Sequence, residues 1–215
     1  MAIFCATRSF DQFYRIRPDF YGSGRDLVLA FGLPDSTTEV GSSDGLVAIE
    51  GFGSNLEVRS LNRCRLLLGP PRDLEPWMDG QWIVSERLYN VMKYVDEESF
   101  SFSKLRCYQL DDGSVADYYI CNVTRTVDAL DEDASRLGVE ISDYDGEKYY
   151  RLLGQICLRF KREALGSISV FKLPFHGAVF CDVVFKDAVE ETGRLAGRPF
   201  SGISFERVTS SFRAY

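Results

Sequence analysis

Histidine is all but missing. One residue, His176, stands in a chain of 215. That removes imidazole-based metal sites and leaves any Ser–His or Cys–His mechanism a single base to draw on. Its surroundings, KLPFHGAVF, read as a turn between two strands, and no GxSxG elbow occurs. The residue therefore reads as structural, and a hydrolase using His176 is the enzymatic alternative. Paired cysteines are missing as well. Cys5, Cys64, Cys107, Cys121, Cys157 and Cys181 are widely spaced, and no CxxC occurs. Several sit in apolar or alternating runs, as small buried hydrophobes do in a reducing compartment. No apolar run reaches the roughly 18 residues a membrane helix requires. The opening MAIFCATRSFDQFYRIRP has neither the basic and apolar regions nor the cleavage site of a signal peptide, so a cytoplasmic location is expected. Phosphate loops are incomplete: GSG (22–24) and GFGSNL (51–56) finish neither GxGxxG nor the Walker pattern and read as turns. DYDGE (143–147) lacks the ligand spacing of a calcium loop. No catalytic, cofactor-binding or metal-ligating residue is nominated.

Acidic residues are present in excess, and their placement is uneven. The net charge is −7. Between Asp128 and Glu147 stand eight acids opposed only by Arg136, and the rest of the chain is balanced. One reading is a solvated loop and helix. The other is an electrostatic lure for a basic partner, which speeds association and rejects wrong partners. Direct nucleic-acid binding is disfavoured, because phosphate contacts need Lys and Arg.

The segment 1–73 reads as a β-rich region, with short runs at 26–31, 46–51 and 61–68 and a loop at 32–45. LGPPRDLEP (68–76) is the boundary, since its three prolines oppose a regular element, and the segment 74–215 forms the second region. There QWIVSERLYNVMKYV (81–95) reads as a strand, a Ser85 cap and a helix with Leu88, Val91, Met92 and Val95 on one face. AVFCDVVFKDAVEETG (178–193) repeats the pattern, with the cap and all four face positions at one constant offset. Asp182 is the cap, Phe185, Ala188, Val189 and Thr192 form the face, and Gly193 is the residue just past the helix. Each unit returns to a strand, at 101–110 and 201–208. Further strands are expected at 114–130, 149–163 and 166–174. Strands outnumber helices without alternating with them, which predicts an α+β fold with mixed or antiparallel sheets and a repeated strand–helix–strand unit.

WIVSERLYNVM, DYYICNVT and FKLPFHGAVFCDVVFKDAVEETGRLAGRPFSGISFERV together resemble the DUF1629 group, the Imm11-type family of bacterial immunity proteins of polymorphic toxin systems. The resemblance covers roughly the segment 74–208. In its C-terminal pattern a strand, an acidic or Ser cap, a helix and a Gly precede a G-[IV]-x-F strand. Asp182, Gly202, Ile203 and Phe205 hold those positions here. The resemblance implies a small cytoplasmic protein that binds and blocks a cognate toxin, often one delivered by a type VI secretion system. It brings no catalytic residues. A concentrated acidic segment suits a basic toxin such as a nuclease. The contact candidates are Asp131, Glu132, Asp133, Asp143, Asp145 and Glu147, with Tyr144, Tyr149 and Tyr150 as aromatic anchors. An adaptor or scaffold with another partner would share the same acidic surface.

Overall fold

Ser85 and Asp182 place the two helices. Each has extended backbone and lends a side-chain oxygen to the N–H three positions on, Leu88 and Phe185 respectively. The computed structural model describes residues 12–18, 27–28, 63–66, 72–77, 80–109, 115–152 and 157–209, with the backbone alone at 27–28, 63–66, 106–109 and 115. Helix α1 spans Glu86–Asp96 and α3 spans Val183–Leu195; a single turn, α2, lies at Arg162–Leu165. The strands are β1 (Phe13–Pro18), β2 (Leu27–Val28), β3 (Arg63–Leu66), β4 (Leu74–Pro76), β5 (Trp82–Ser85), β6 (Phe100–Gln109), β7 (Val115–Val123), β8 (Gly138–Ile141), β9 (Lys148–Arg151), β10 (Val170–Leu173), β11 (His176–Asp182) and β12 (Ile203–Arg207). The expected run at 46–51, the loop at 32–45 and the glycine pairs lie outside the described residues.

The fold is α+β. One sheet has the order β10-β11-β1-β12, a second β2-β3-β6-β7-β5-β4, and β8-β9 stand as a separate pair. Among the described strands every pairing is antiparallel except that of β3 with β6. The repeated unit extends further than its helices. In both large sheets a hairpin (β4-β5 or β10-β11) leads into a capped helix, and the return strand (β6 or β12) leaves a gap that one antiparallel strand fills. In the first unit that strand is β7, the next in the chain. In the second it is β1, drawn from the start of the sequence. The registers coincide. Ser85 faces Tyr118 as Asp182 faces Phe13, and Phe102 faces Cys121 as Phe205 faces Ile16. This alignment superposes SFSKL (101–105) on SFERV (204–208).

The caps are braced in the same way. Ser85 N–H donates to the carbonyl of Asp73, and Asp182 N–H to that of Ser169, each at 2.9 Å. The side chains pair too, Ser85 Oγ with Asp73 at 2.8 Å and Ser169 Oγ with Asp182 at 3.2 Å, with hydroxyl and carboxylate exchanged between the units. Each unit also reaches into the other. Ser201 N–H donates to Asp73, and Leu74 N–H to the Ser201 carbonyl. Reciprocally, Asp96 at the end of α1 accepts from Ser169 and Val170 N–H. The helix faces meet in one core. Leu88, Val91 and Met92 of α1 and Phe185 and Val189 of α3 pack with Trp82, Val84, Phe100 and Cys121 of one sheet and Tyr14, Ile16, Val179 and Cys181 of the other. Full burial of each large side chain contributes about 1.5–3 kcal/mol. Val95, Ala188 and Thr192 sit at the margins.

Three local expectations are corrected. Helix α3 does not stop before Gly193. It runs to Leu195, and Gly197 (φ 66°) takes the position past the end, with Arg198 N–H on the Gly193 carbonyl and Gly197 N–H on that of Arg194. Gly193 is instead a packing glycine, since a Cβ there would lie 3.1 Å from the Pro199 backbone. The segment 68–76 is not wholly irregular: Leu74–Pro76 pair with β5 at a sheet edge, where a missing N–H is tolerated. The expected strand over 149–163 ends at Arg151. Cys157 and Phe160 make only isolated bridges and Arg162–Leu165 turn helically, because this segment crosses the open face of the first sheet. There Leu130, Tyr150, Leu158 and Leu165 cover Phe13, Phe171 and Phe180 in a second core.

Candidate partner-binding surface

The acidic stretch folds as a hairpin and contains no helix. Val139, Ile141, Tyr149 and Tyr150 have the short alternating or aromatic character of strands, and DYDGE supplies the turn. Gly146 has φ 73°, Ser142 N–H donates to Glu147 O, and Asp145 accepts from Glu147 N–H. Asp145 therefore serves as a turn carboxylate. Its own turn bonds, from Ser142 first, hold its carboxyl below the usual range.

Glu132 fixes the hairpin to the preceding loop. Its Oε1 accepts from Lys148 Nζ at 2.5 Å and from the Tyr150 hydroxyl at 2.6 Å. Lys148 also lies over the Phe175 ring at 4.3 Å. The Lys148 bond leads the effects that lower the Glu132 pKa. Burial, then the Glu132 bond, pushes the Tyr150 phenol well up. Tyr150 is 2 % exposed and stacks edge-on against Phe175, so its ring belongs to the second core and is not presented to solvent. Glu140 accepts from Tyr149 and from Arg151 on the opposite hairpin face.

The remaining candidates face outward. Asp131 accepts from Ala134 N–H in the loop, and Asp133, Asp143, Asp145 and Glu147 are exposed. Together with Asp128 they form no ion pair among the described residues. Tyr144 at the turn is 97 % exposed, and Tyr149 is partly so. The structure thus brings the 131–133 loop against the hairpin through Glu132, with unpaired carboxylates on the loop and at the turn. Sequence reasoning misses Val139 and Ile141, which are 45 % and 60 % exposed. Two β-branched residues alternating within an acidic stretch are the available signal.

His176 stands where its sequence context puts it, at the turn entering β11. Its Nδ1 accepts from Ala178 N–H at 2.9 Å, and burial, aided by Arg15, pushes its pKa down. That ring is a neutral acceptor for backbone. Cys121 and Cys181 are fully buried free thiols, raised by burial out of reach of ionisation near neutrality. Among the described residues no helix is long and apolar enough to cross a membrane.

The arrangement is suited to contact with another macromolecule: an acidic, partly apolar, two-stranded element anchored on a rigid core. No curated protein matches the chain. The family model for the immunity protein family Imm11 matches residues 12–210. That span takes in β1 as well as both helical units, so the chain belongs to the Imm11 family of immunity proteins.

Proposed function

We propose that this protein neutralises its cognate toxin by laying the acidic hairpin and its flanking loop over a basic, substrate-binding surface of that toxin. A nuclease effector acting in the cytoplasm, of the kind delivered by type VI secretion, has such a surface. The observation that carries this reading is the set of carboxylates that have no ionic partner among the described residues, Asp131 and Asp133 on the loop and Asp143, Asp145 and Glu147 at the hairpin turn, with the exposed Tyr144 at that turn. Such carboxylates attract a basic surface at a distance, and an exposed tyrosine supplies contact area at low entropic cost. Glu132, Glu140 and Tyr150 hold the element in shape. An interface of about 1,600 Å² would cover the hairpin, the loop and neighbouring surface.

The test uses the protein encoded by the adjoining reading frame, inactivated by mutation, as the probe. Changing Asp133, Asp143 and Glu147 together to lysine should slow association roughly 10- to 100-fold at low salt and flatten its dependence on ionic strength. Thermal stability should change little, since among the described residues none of the three side chains makes an ion pair or a hydrogen bond. An association rate and salt slope equal to those of the unmodified protein would show that the carboxylates are only solvated.

A further inference from the structure

From the edge of β8 we infer that the partner adds a strand to this hairpin, so that toxin and immunity protein share a sheet. The inference rests on the immunity reading above and specifies its contact. In an antiparallel pair, residues alternate between positions whose N–H and C=O point across the ladder and positions where they point outward. Ser142 N–H bonds to Glu147 O, which makes that pair inward. Counting back along the register, Glu140–Tyr149 and Gly138–Arg151 are also inward, while Ile141–Lys148 and Val139–Tyr150 point outward. Tyr150 confirms the phase, because its N–H leaves the hairpin and donates to Phe175 O at 2.9 Å.

The outer edge of β9 is thereby occupied. Among the described residues nothing bonds the outward N–H and C=O of Val139 and Ile141. Two other described edges are covered, while the outward groups of β12 also have no partner among the described residues, but that strand exposes no large apolar side chain. The segment 125–127 runs along β10, with Lys172 N–H on Arg125 O and Val127 N–H on Lys172 O. Leu74 of β4 donates to Ser201 O. Edge strands left open usually carry a lysine, a proline or a bulge. Strand β8 is only four residues long, GVEI, without lysine, proline or bulge; its one charge, Glu140, is paired with Arg151, and it shows two β-branched side chains to solvent.

The occupant is an extended segment of the toxin. Its backbone takes up Val139 and Ile141, its β-branched or aromatic side chains at alternate positions cover theirs, and its Lys or Arg residues lie at the end beside Asp143, Asp145 and Glu147. The acidic turn selects the end, and the open edge supplies the bonds.

Amide exchange read residue by residue tests this, with the inactivated product of the adjoining reading frame at saturation. In the free protein Val139 and Ile141 should exchange rapidly and Glu140 slowly. In the complex both should slow by about 100-fold or more. Ile141→Pro, which deletes an outward N–H and no rung of the hairpin, should weaken binding at least tenfold while leaving the melting temperature within a few degrees. A complex that forms while Val139 and Ile141 exchange at their free rates would overturn the shared strand and leave the immunity reading standing. Absence of any complex would overturn both.

Discussion

Alanine at Gly202 is expected to remove most of the protein's stability. The residue has φ 78°, a region that costs an L-residue about 1–2 kcal/mol. The larger effect is steric. A Cβ on Gly202 would stand 2.0 Å from the Leu74 carbonyl oxygen, and that atom is backbone that cannot rotate away. Relief requires β4 to move off the Ser201–Gly202 bend, which breaks the Leu74-to-Ser201 bond and disturbs Asp73 behind it. A loss of about 4 kcal/mol or more is expected, a large part of the stability of an ordinary domain. Gly146→Ala is the control: it has φ 73° and nothing within 4 Å, so it should cost only about 1 kcal/mol. Urea titrations of the two variants check this. Equal losses would mean that the close approach to Leu74 is not structural.

Replacing Asp73 by asparagine has the second largest expected effect. Asp73 is 3 % exposed and serves both units at once. It accepts from Arg87 (Nη2 at 2.7 Å, Nε at 3.2 Å), from the Ser85 hydroxyl and from Ser201 N–H at 2.9 Å. Arg87 in turn donates to the carbonyls of Arg198 and Pro199 and lies 4.0 Å from the Phe200 ring centroid. Removing the charge leaves a half-buried guanidinium without its partner, at a cost of about 2–4 kcal/mol. Burial by itself would raise the Asp73 carboxyl, but the bonds from Arg87, Ser201 and Ser85 outweigh it and hold the carboxyl below its ordinary value. A depressed folded pKa stabilises fully above the unfolded value and loses that contribution as pH falls through the folded one. The stability gap between wild type and Asp73→Asn should therefore be constant above about pH 5 and close progressively below about pH 4. A gap that stays constant down to about pH 3 would mean that the carboxylate is not held by these bonds.

Both predictions concern the junction between the repeated units, and its legibility in sequence is uneven. Ser85 and Asp182 announce their helices because a cap is a local event, readable from the cap and the apolar spacing that follows it. Gly202 falls in the G-I-x-F pattern of the resemblance. Its reason, the Leu74 carbonyl, lies in the other repeated unit and leaves no local mark. Of the partners of Asp73, Ser201 is equally remote, while Ser85 and Arg87 belong to its own unit. Strand β1 is the hardest to place: FYRIRP alternates as a strand should, but nothing in that short run says that it fills a gap between β11 and β12. In the hairpin, Val139 and Ile141 are hidden by the acids around them, since a single pair is too little to set a period. Those acids read as one class in sequence, yet Glu132 is an internal brace, and Asp131 and Asp145 shape turns while facing solvent. Only geometry separates those roles.

The borrowed strand has a consequence for the order in which the protein is made. A ribosome releases β4 to β7 together, so the first unit can close while the chain is still growing. Strand β1 emerges earlier than any of these, yet its two neighbours, β11 and β12, are among the last elements to be translated. Until then it is an unpaired strand on a nascent chain, and the second unit is a three-stranded sheet with a slot. Closing that slot is the longest-range pairing among the described strands, so it should come last and slowest. An immunity protein is needed when its toxin appears, and the time β1 takes to find its slot sets the earliest moment at which a newly made molecule is complete.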